Sequence, residues 1–128
     1  MYPEELKYSK AHEWAKIEGN ITTIGISFYA QEQMGDIVFA DLPEVGRTVQ
    51  KDDPFGVVES VKAVSDVFSP VGGKIIKVNT ELIDTPELIN QDPYGKGWMI
   101  AVEMSDPGEV DSLMSAAEYE EFLAQQST

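Results

Sequence analysis

Few side chains in this sequence could carry chemistry. There is one histidine, His12, and no cysteine. A thiolate nucleophile, a disulfide and a cysteine-ligated metal are therefore impossible. A metal site rich in nitrogen ligands is ruled out as well. His12, two residues before Trp14, reads as a strand residue with a satisfied ring rather than as a catalytic base. Carboxylates are plentiful, 23 in all, so counting alone does not exclude a two-carboxylate hydrolase. Chance pairs are nevertheless expected in so acidic a chain. Gly72-Gly73 lacks the spaced glycines and the Lys-Ser/Thr ending of a phosphate-binding loop. Asp52-Asp53 reads as a turn, not a calcium site. That leaves Lys62, in the run Glu59-Ser60-Val61-Lys62-Ala63 between two apolar runs. The placement suggests a tight connection that holds an amine out in water. On the residues alone, an ordinary surface lysine, one of nine basic side chains, is the simpler reading.

The elements that must position Lys62 are short. Residues 13–18 and 21–26 flank Gly19-Asn20 and read as a β-hairpin. Ser27 can cap a helix over 28–34 that stops at Gly35. Residues 36–42 return as a strand, with a turn at Pro43-Glu44-Val45-Gly46. Two further strands, 55–59 and 64–68, bracket Lys62. A turn over 70–73 leads to a strand over 74–78. Thr85-Pro86-Glu87 looks like a helix start with Pro86 in its first position. A loop over 92–97 precedes a strand over 98–102. Ser115 and Glu118 form a capping box for an amphipathic helix to about 125, with Tyr119, Phe122 and Leu123 on one face. A faint repeat relates residues 45–59 to 71–82, as in a sandwich of two similar halves meeting near 60–64. The expected fold is mainly β: a small sandwich or flattened barrel with short helices and a C-terminal amphipathic helix.

Composition narrows the function classes. The 128 residues suit one domain, with a core near 20–104 and the terminal helix near 115–125. The formal net charge of −14 repels a phosphate backbone, so nucleic-acid binding is not expected. The acidity is either a well-solvated surface or a field that steers the chain toward partners with basic patches. No apolar run approaches the ~20 residues that span a bilayer. Residues 1–10 show neither an apolar signal core nor an arginine-rich, acid-poor leader. The expected compartment is the cytoplasm of a bacterium or archaeon, or the mitochondrial matrix only if a presequence was already removed.

The sequence resembles a known family at this point. The run from Gly56 through Glu59-Ser60-Val61-Lys62-Ala63 to Ser65-Asp66-Val67 is similar to the lipoyl-attachment motif of glycine cleavage H proteins. The likeness extends along nearly the whole chain. It includes His12-Glu13-Trp14, Ile24-Gly25-Ile26, Ala30-Gln31, Gly35-Asp36-Ile37-Val38-Phe39 and Leu42-Pro43-Glu44-Val45-Gly46. Downstream it includes Ser69-Pro70-Val71, Val78-Asn79, Asn90, Asp92-Pro93-Tyr94 and Gly97-Trp98. Biotin carriers of related fold flank their lysine with methionines, and 2-oxoacid dehydrogenase lipoyl domains usually place aspartate before it. Here the neighbours are Val61 and Ala63.

The resemblance implies the lipoyl/biotinyl hybrid-motif type of fold and a carrier that is not itself an enzyme. It implies (R)-lipoate joined to Lys62, with Glu59, Ser60, Val61 and Ala63 as the face read by the lipoylating enzyme. It implies shuttling of glycine's aminomethyl group from a pyridoxal-phosphate glycine decarboxylase (P protein) to a tetrahydrofolate-dependent aminomethyltransferase (T protein). Reoxidation by dihydrolipoyl dehydrogenase (L protein) would follow, with the carrier a monomer. Glu13 and Asp66 match positions whose carboxylates could hold the loaded arm's amine. Ala11 and Ser27-Phe28 depart from the more polar residues common in the family. A lipoate relay to 2-oxoacid dehydrogenase complexes would use the same Lys62 and is the alternative function.

Overall fold

The computed structural model describes residues 1–126, and the hairpin expected around Gly19-Asn20 forms with the expected strand bounds. A short strand β1 (Lys7–Tyr8) pairs with β2 (Glu13–Glu18), and β2 pairs with β3 (Ile21–Ile26). Gly19 takes φ 62° in the intervening turn, a left-handed conformation that glycine adopts without a Cβ clash. Ser27 caps α1 (Phe28–Met34) by accepting a hydrogen bond from the Ala30 N–H, and Gly35 at φ 78° ends it. The chain continues through β4 (Ile37–Asp41), β5 (Thr48–Val49), β6 (Pro54–Ser60), β7 (Val64–Phe68) and β8 (Gly73–Val78). Two one-turn helices, α2 (Glu81–Asp84) and α3 (Leu88–Gln91), lead to β9 (Ile100–Met104). A 3-10 helix (Pro107–Ser112) and α4 (Ala116–Gln126) complete the described chain. Residues 127 and 128 of the expected domain lie outside the described residues.

Two antiparallel sheets result, one of six strands in the order β1-β2-β3-β9-β8-β5 and one of three in the order β4-β6-β7. The faint repeat does not divide cleanly between the sheets: residues 45–59 supply β5 to the larger and β6 to the smaller, and residues 71–82 supply β8, which pairs with β5 in the larger. Ile24, Ile75, Ile100 and Val102 of the larger sheet share one buried cluster with Phe55, Val58 and Val67 of the smaller. Burying such side chains stabilises by about 1.5–3 kcal/mol each, which sets the register of both sheets. A second cluster holds Leu6, Tyr8 and Trp14 against Ala116, Tyr119 and Leu123 of α4. The capping box forms in both directions, Ser115 N–H to Glu118 at 2.8 Å and Glu118 N–H to the Ser115 hydroxyl at 3.2 Å.

The structure departs from the sequence reading in several places. The last strand starts at Ile100, not 98, because the Asn79 amide takes the Trp98 carbonyl out of the ladder at 2.8 Å. Pro86 does not occupy the first position of a helix. It lies in a turn whose carbonyl accepts from the Ile89 N–H, and α3 begins at Leu88. α2, β1, β5 and the 3-10 helix carry too few residues to show a period. His12 is not in a strand: it takes φ 73° in the connection between β1 and β2. Its ring is satisfied, as expected, by the Tyr119 hydroxyl at 2.8 Å.

Candidate functional site

Lys62 stands at the tip of the hairpin joining β6 and β7. Phe55, Val58 and Val67 root that hairpin in the core, each at most 2% exposed. The strand register ends at Glu59↔Val64, which leaves residues 60–63 as the connection. Ser60 organises it. Its N–H donates to the Ala63 carbonyl at 2.8 Å. Its hydroxyl accepts from the Ala63 N–H at 3.0 Å and the Lys62 N–H at 3.3 Å. The Val61 N–H donates to the Asp36 carbonyl at 3.2 Å, so all four backbone donors of the turn are engaged. The Lys62 side chain is exposed, and its ammonium makes no hydrogen bond or ion pair among the described residues. The base is thus fixed while the amine is accessible, an arrangement suited to acylation of a primary amine. Ser60→Ala removes the acceptor for two turn N–H groups and is expected to lower stability by about 1–2 kcal/mol. Urea unfolding of the variant beside the parent chain measures this.

The neighbouring loop is held from a distance. Gly35, at the end of α1, lies under the lysine stem: a Cβ there would stand 3.5 Å from Lys62 Cε. The Asn90 side chain of α3 clamps this segment. Its carbonyl accepts from the Ile37 N–H at 2.8 Å, and its amide donates to the Gly35 carbonyl at 2.9 Å and to Gln31 at 3.0 Å. Asp36, which holds Val61, lies between the two clamped residues. Asn90 appears in the sequence only as part of the family likeness, and its clamping role has no local signal. Asn90→Ala is expected to cost about 2 kcal/mol, because it strips partners from a buried donor and an acceptor together. Loss of amide-exchange protection at Ile37 and Val61 reports the same change.

Glu13 and Asp66 lie in different environments. Glu13, the first residue of β2, is 2% exposed rather than a solvated surface acid. Its carboxylate accepts from the Ser9 hydroxyl at 2.5 Å and from the Phe68 N–H at 3.2 Å, which ties the larger sheet to the end of β7. Burial pushes its pKa up to about 7, against the lowering pull of those two hydrogen bonds, and Asp52 adds a further rise. Ser9, its partner, also lines a cavity of about 390 Å³ with Lys10, Ala11, Lys51 and Asp52. Asp66 is exposed on β7 opposite Val57, on the outer face of the smaller sheet. No hydrogen bond joins the two acids. Of the lysine's other neighbours, Ser60 is buried, Glu59 and Ala63 are partly buried, and Val61 is 74% exposed. Among the described residues no group of three potential ligands could hold a metal, and no helix is long and apolar enough to cross a membrane.

The model of the glycine cleavage H-protein family matches residues 6–126. The glycine cleavage system H protein of Symbiobacterium thermophilum is 57% identical over 120 residues, covering 94% of each chain. That of Carboxydothermus hydrogenoformans is 55% identical over 124 residues, covering 97% of this chain and 95% of its own. Among solved structures, a glycine cleavage system H protein from Mycobacterium marinum superimposes with a TM-score of 0.87 at 40% identity. That match covers 95% of this chain and 98% of the other.

Proposed function

Because the chain belongs to the glycine cleavage H-protein family, we propose that it is a lipoyl carrier whose group is joined as an amide to Lys62 Nζ. The observation that carries this reading is the turn: every backbone donor of residues 60–63 is bonded, while the lysine ammonium makes no hydrogen bond or ion pair among the described residues. When bound, the lipoyl group supplies a dithiol–disulfide couple and a nucleophilic sulfur, which a chain without cysteine does not otherwise possess. The chain's own residues position and recognise. Ser60 fixes the base of the arm, while Glu59, Val61 and Ala63 present the surface that a lipoylating enzyme reads.

In this reading the chain is a single carrier domain and a monomer. It passes between a pyridoxal-phosphate glycine decarboxylase, a tetrahydrofolate-dependent aminomethyltransferase and dihydrolipoyl dehydrogenase. Glu13 and Asp66 are its candidates for holding a cationic amine brought in by the arm. For Glu13 the support is a buried carboxylate whose partner Ser9 lines a cavity. For Asp66 it is an exposed carboxylate on the strand that leaves the lysine turn. Incubation with lipoate, ATP and a lipoate ligase is expected to add one lipoyl increment, mapped by peptide mass to Lys62. The modified chain, and not the unmodified one, is then expected to support glycine-dependent carbon dioxide release by glycine decarboxylase. A chain that keeps its original mass while a control acceptor is modified would sink the reading.

A further inference from the structure

The outer face of the smaller sheet carries a pattern that the lysine motif does not account for. In an antiparallel sheet, residues directly opposite share a face. The register therefore sets Phe39, Glu59 and Val64 in one row across β4, β6 and β7, and Asp41, Val57 and Asp66 in the next. The rows alternate apolar–acid–apolar and acid–apolar–acid. They lie immediately below the turn that holds Lys62. Phe39 is 48% exposed and Val64 68%, and an irregularity in β4 turns Val38 outward as well, 53% exposed. With Val61, four of the chain's exposed large apolar side chains gather at this end of the sheet. Among the described residues, the carboxylates of Asp41, Glu59 and Asp66 have no hydrogen bond or ion pair.

We propose that this face is the docking surface by which the enzyme that acylates Lys62 holds the chain, and that the enzyme meets it with arginine and lysine side chains. The proposal rests on the reading that Lys62 is acylated. The face is continuous with the nitrogen to be acylated, so an enzyme reaching that atom covers the rows beneath it. Its chemistry selects the partner. Long cationic side chains lay their methylenes on Phe39, Val57 and Val64 while their heads reach the acids between them. An arginine over the Phe39 ring adds a cation–π contact. A second copy of this chain would bring carboxylates against carboxylates in a protein of net charge −14, and is disfavoured. Phe39 and Asp41 stand more than twenty residues before Lys62 in the chain, so their part rests on the β4–β6 pairing alone.

Lipoylation kinetics test this. The probe is a lipoate ligase with lipoate and ATP, read by intact mass on the unmodified chain, so that no arm complicates the result. Phe39→Ser and Asp41→Asn are each expected to raise KM for the chain at least threefold, and together at least tenfold, with kcat unchanged within twofold. Raising salt from about 50 to about 500 mM should raise KM for the parent and less so for Asp41→Asn. Ile21→Ser and Glu103→Gln, on the exposed side of the larger sheet, should leave KM within twofold. Asp41→Asn conserves volume and keeps the test readable if Phe39→Ser fails to fold. An unchanged KM in the paired variant, or an equal rise in the controls, overturns the docking surface while leaving acylation of Lys62 intact. No mass gain in the parent overturns both. A parent running at twice its 14.2 kDa, with the variants as monomers, would assign the face to self-association and overturn the proposal.

Discussion

Lys62→Arg protein is expected to gain no mass from a lipoate ligase and to reduce glycine-dependent NAD turnover in the reconstituted system to background. The substitution keeps the positive charge and most of the aliphatic stem, so the rest of the hairpin is undisturbed. What it removes is the primary amine. A guanidinium stays protonated and delocalised and does not attack an activated acyl group. Stability should stay within about 0.5 kcal/mol of the parent, since an exposed side chain away from caps and buried networks contributes little. The four backbone bonds of the turn belong to Ser60, Asp36 and Ala63 and do not depend on the lysine head. The two halves of the prediction bear on each other. Loss of modification with an unchanged unfolding midpoint identifies Lys62 as the acceptor. Loss of both would mean that the stem's contact over Gly35 supports the fold, and a persistent mass increment would move the acceptor to another lysine.

What was legible in the sequence follows from how local each signal is. Ser27 with Gly35, and Ser115 with Glu118, are caps whose partners lie within eight residues, and both form as read. The Gly19-Asn20 hairpin is equally local. His12 carries no such signal: its φ of 73° arises where the chain bends from β1 into β2, and its ring partner is 107 residues away. Asn90 reaches the lysine's neighbours across more than fifty residues. The shift of β9 has the same origin, since a side chain on the far side of a loop, Asn79, decides where the ladder begins. Lys62 itself lies between two extremes. The strands on either side predict its exposed turn, but only the family resemblance singles it out from other surface lysines.

Glu13 shows the cost of missing a long-range contact, and it carries a measurable pH dependence. Phe68, whose N–H it accepts, is 55 residues away, and the sequence gives no hint that β2 begins under the end of β7. With its pKa raised from 4.5 to about 7, Glu13 binds a proton more tightly in the folded chain than in the unfolded one. Below about pH 4.5 both states are protonated at this site, and its stabilising contribution is fully present. As pH rises toward 7 the unfolded chain loses this proton first, so stability falls, and above that the loss is complete. The full change is on the order of 3 kcal/mol. Urea unfolding of the parent between about pH 5 and 8 should therefore show a decline that Glu13→Gln lacks, because glutamine does not titrate. Parallel curves for the two proteins would mean that the Ser9 hydroxyl and the Phe68 N–H already hold the carboxylate ionised. The same balance bears on function. A buried acid poised near neutrality becomes ionised when a cationic amine is set against it, so capture of such an amine should release close to one proton per chain at pH 6. It should release progressively fewer as pH rises past 7. That trend, followed by calorimetry in buffers of different ionisation enthalpy and absent in Glu13→Gln, would distinguish a carboxylate that binds the amine from one that only joins two sheets.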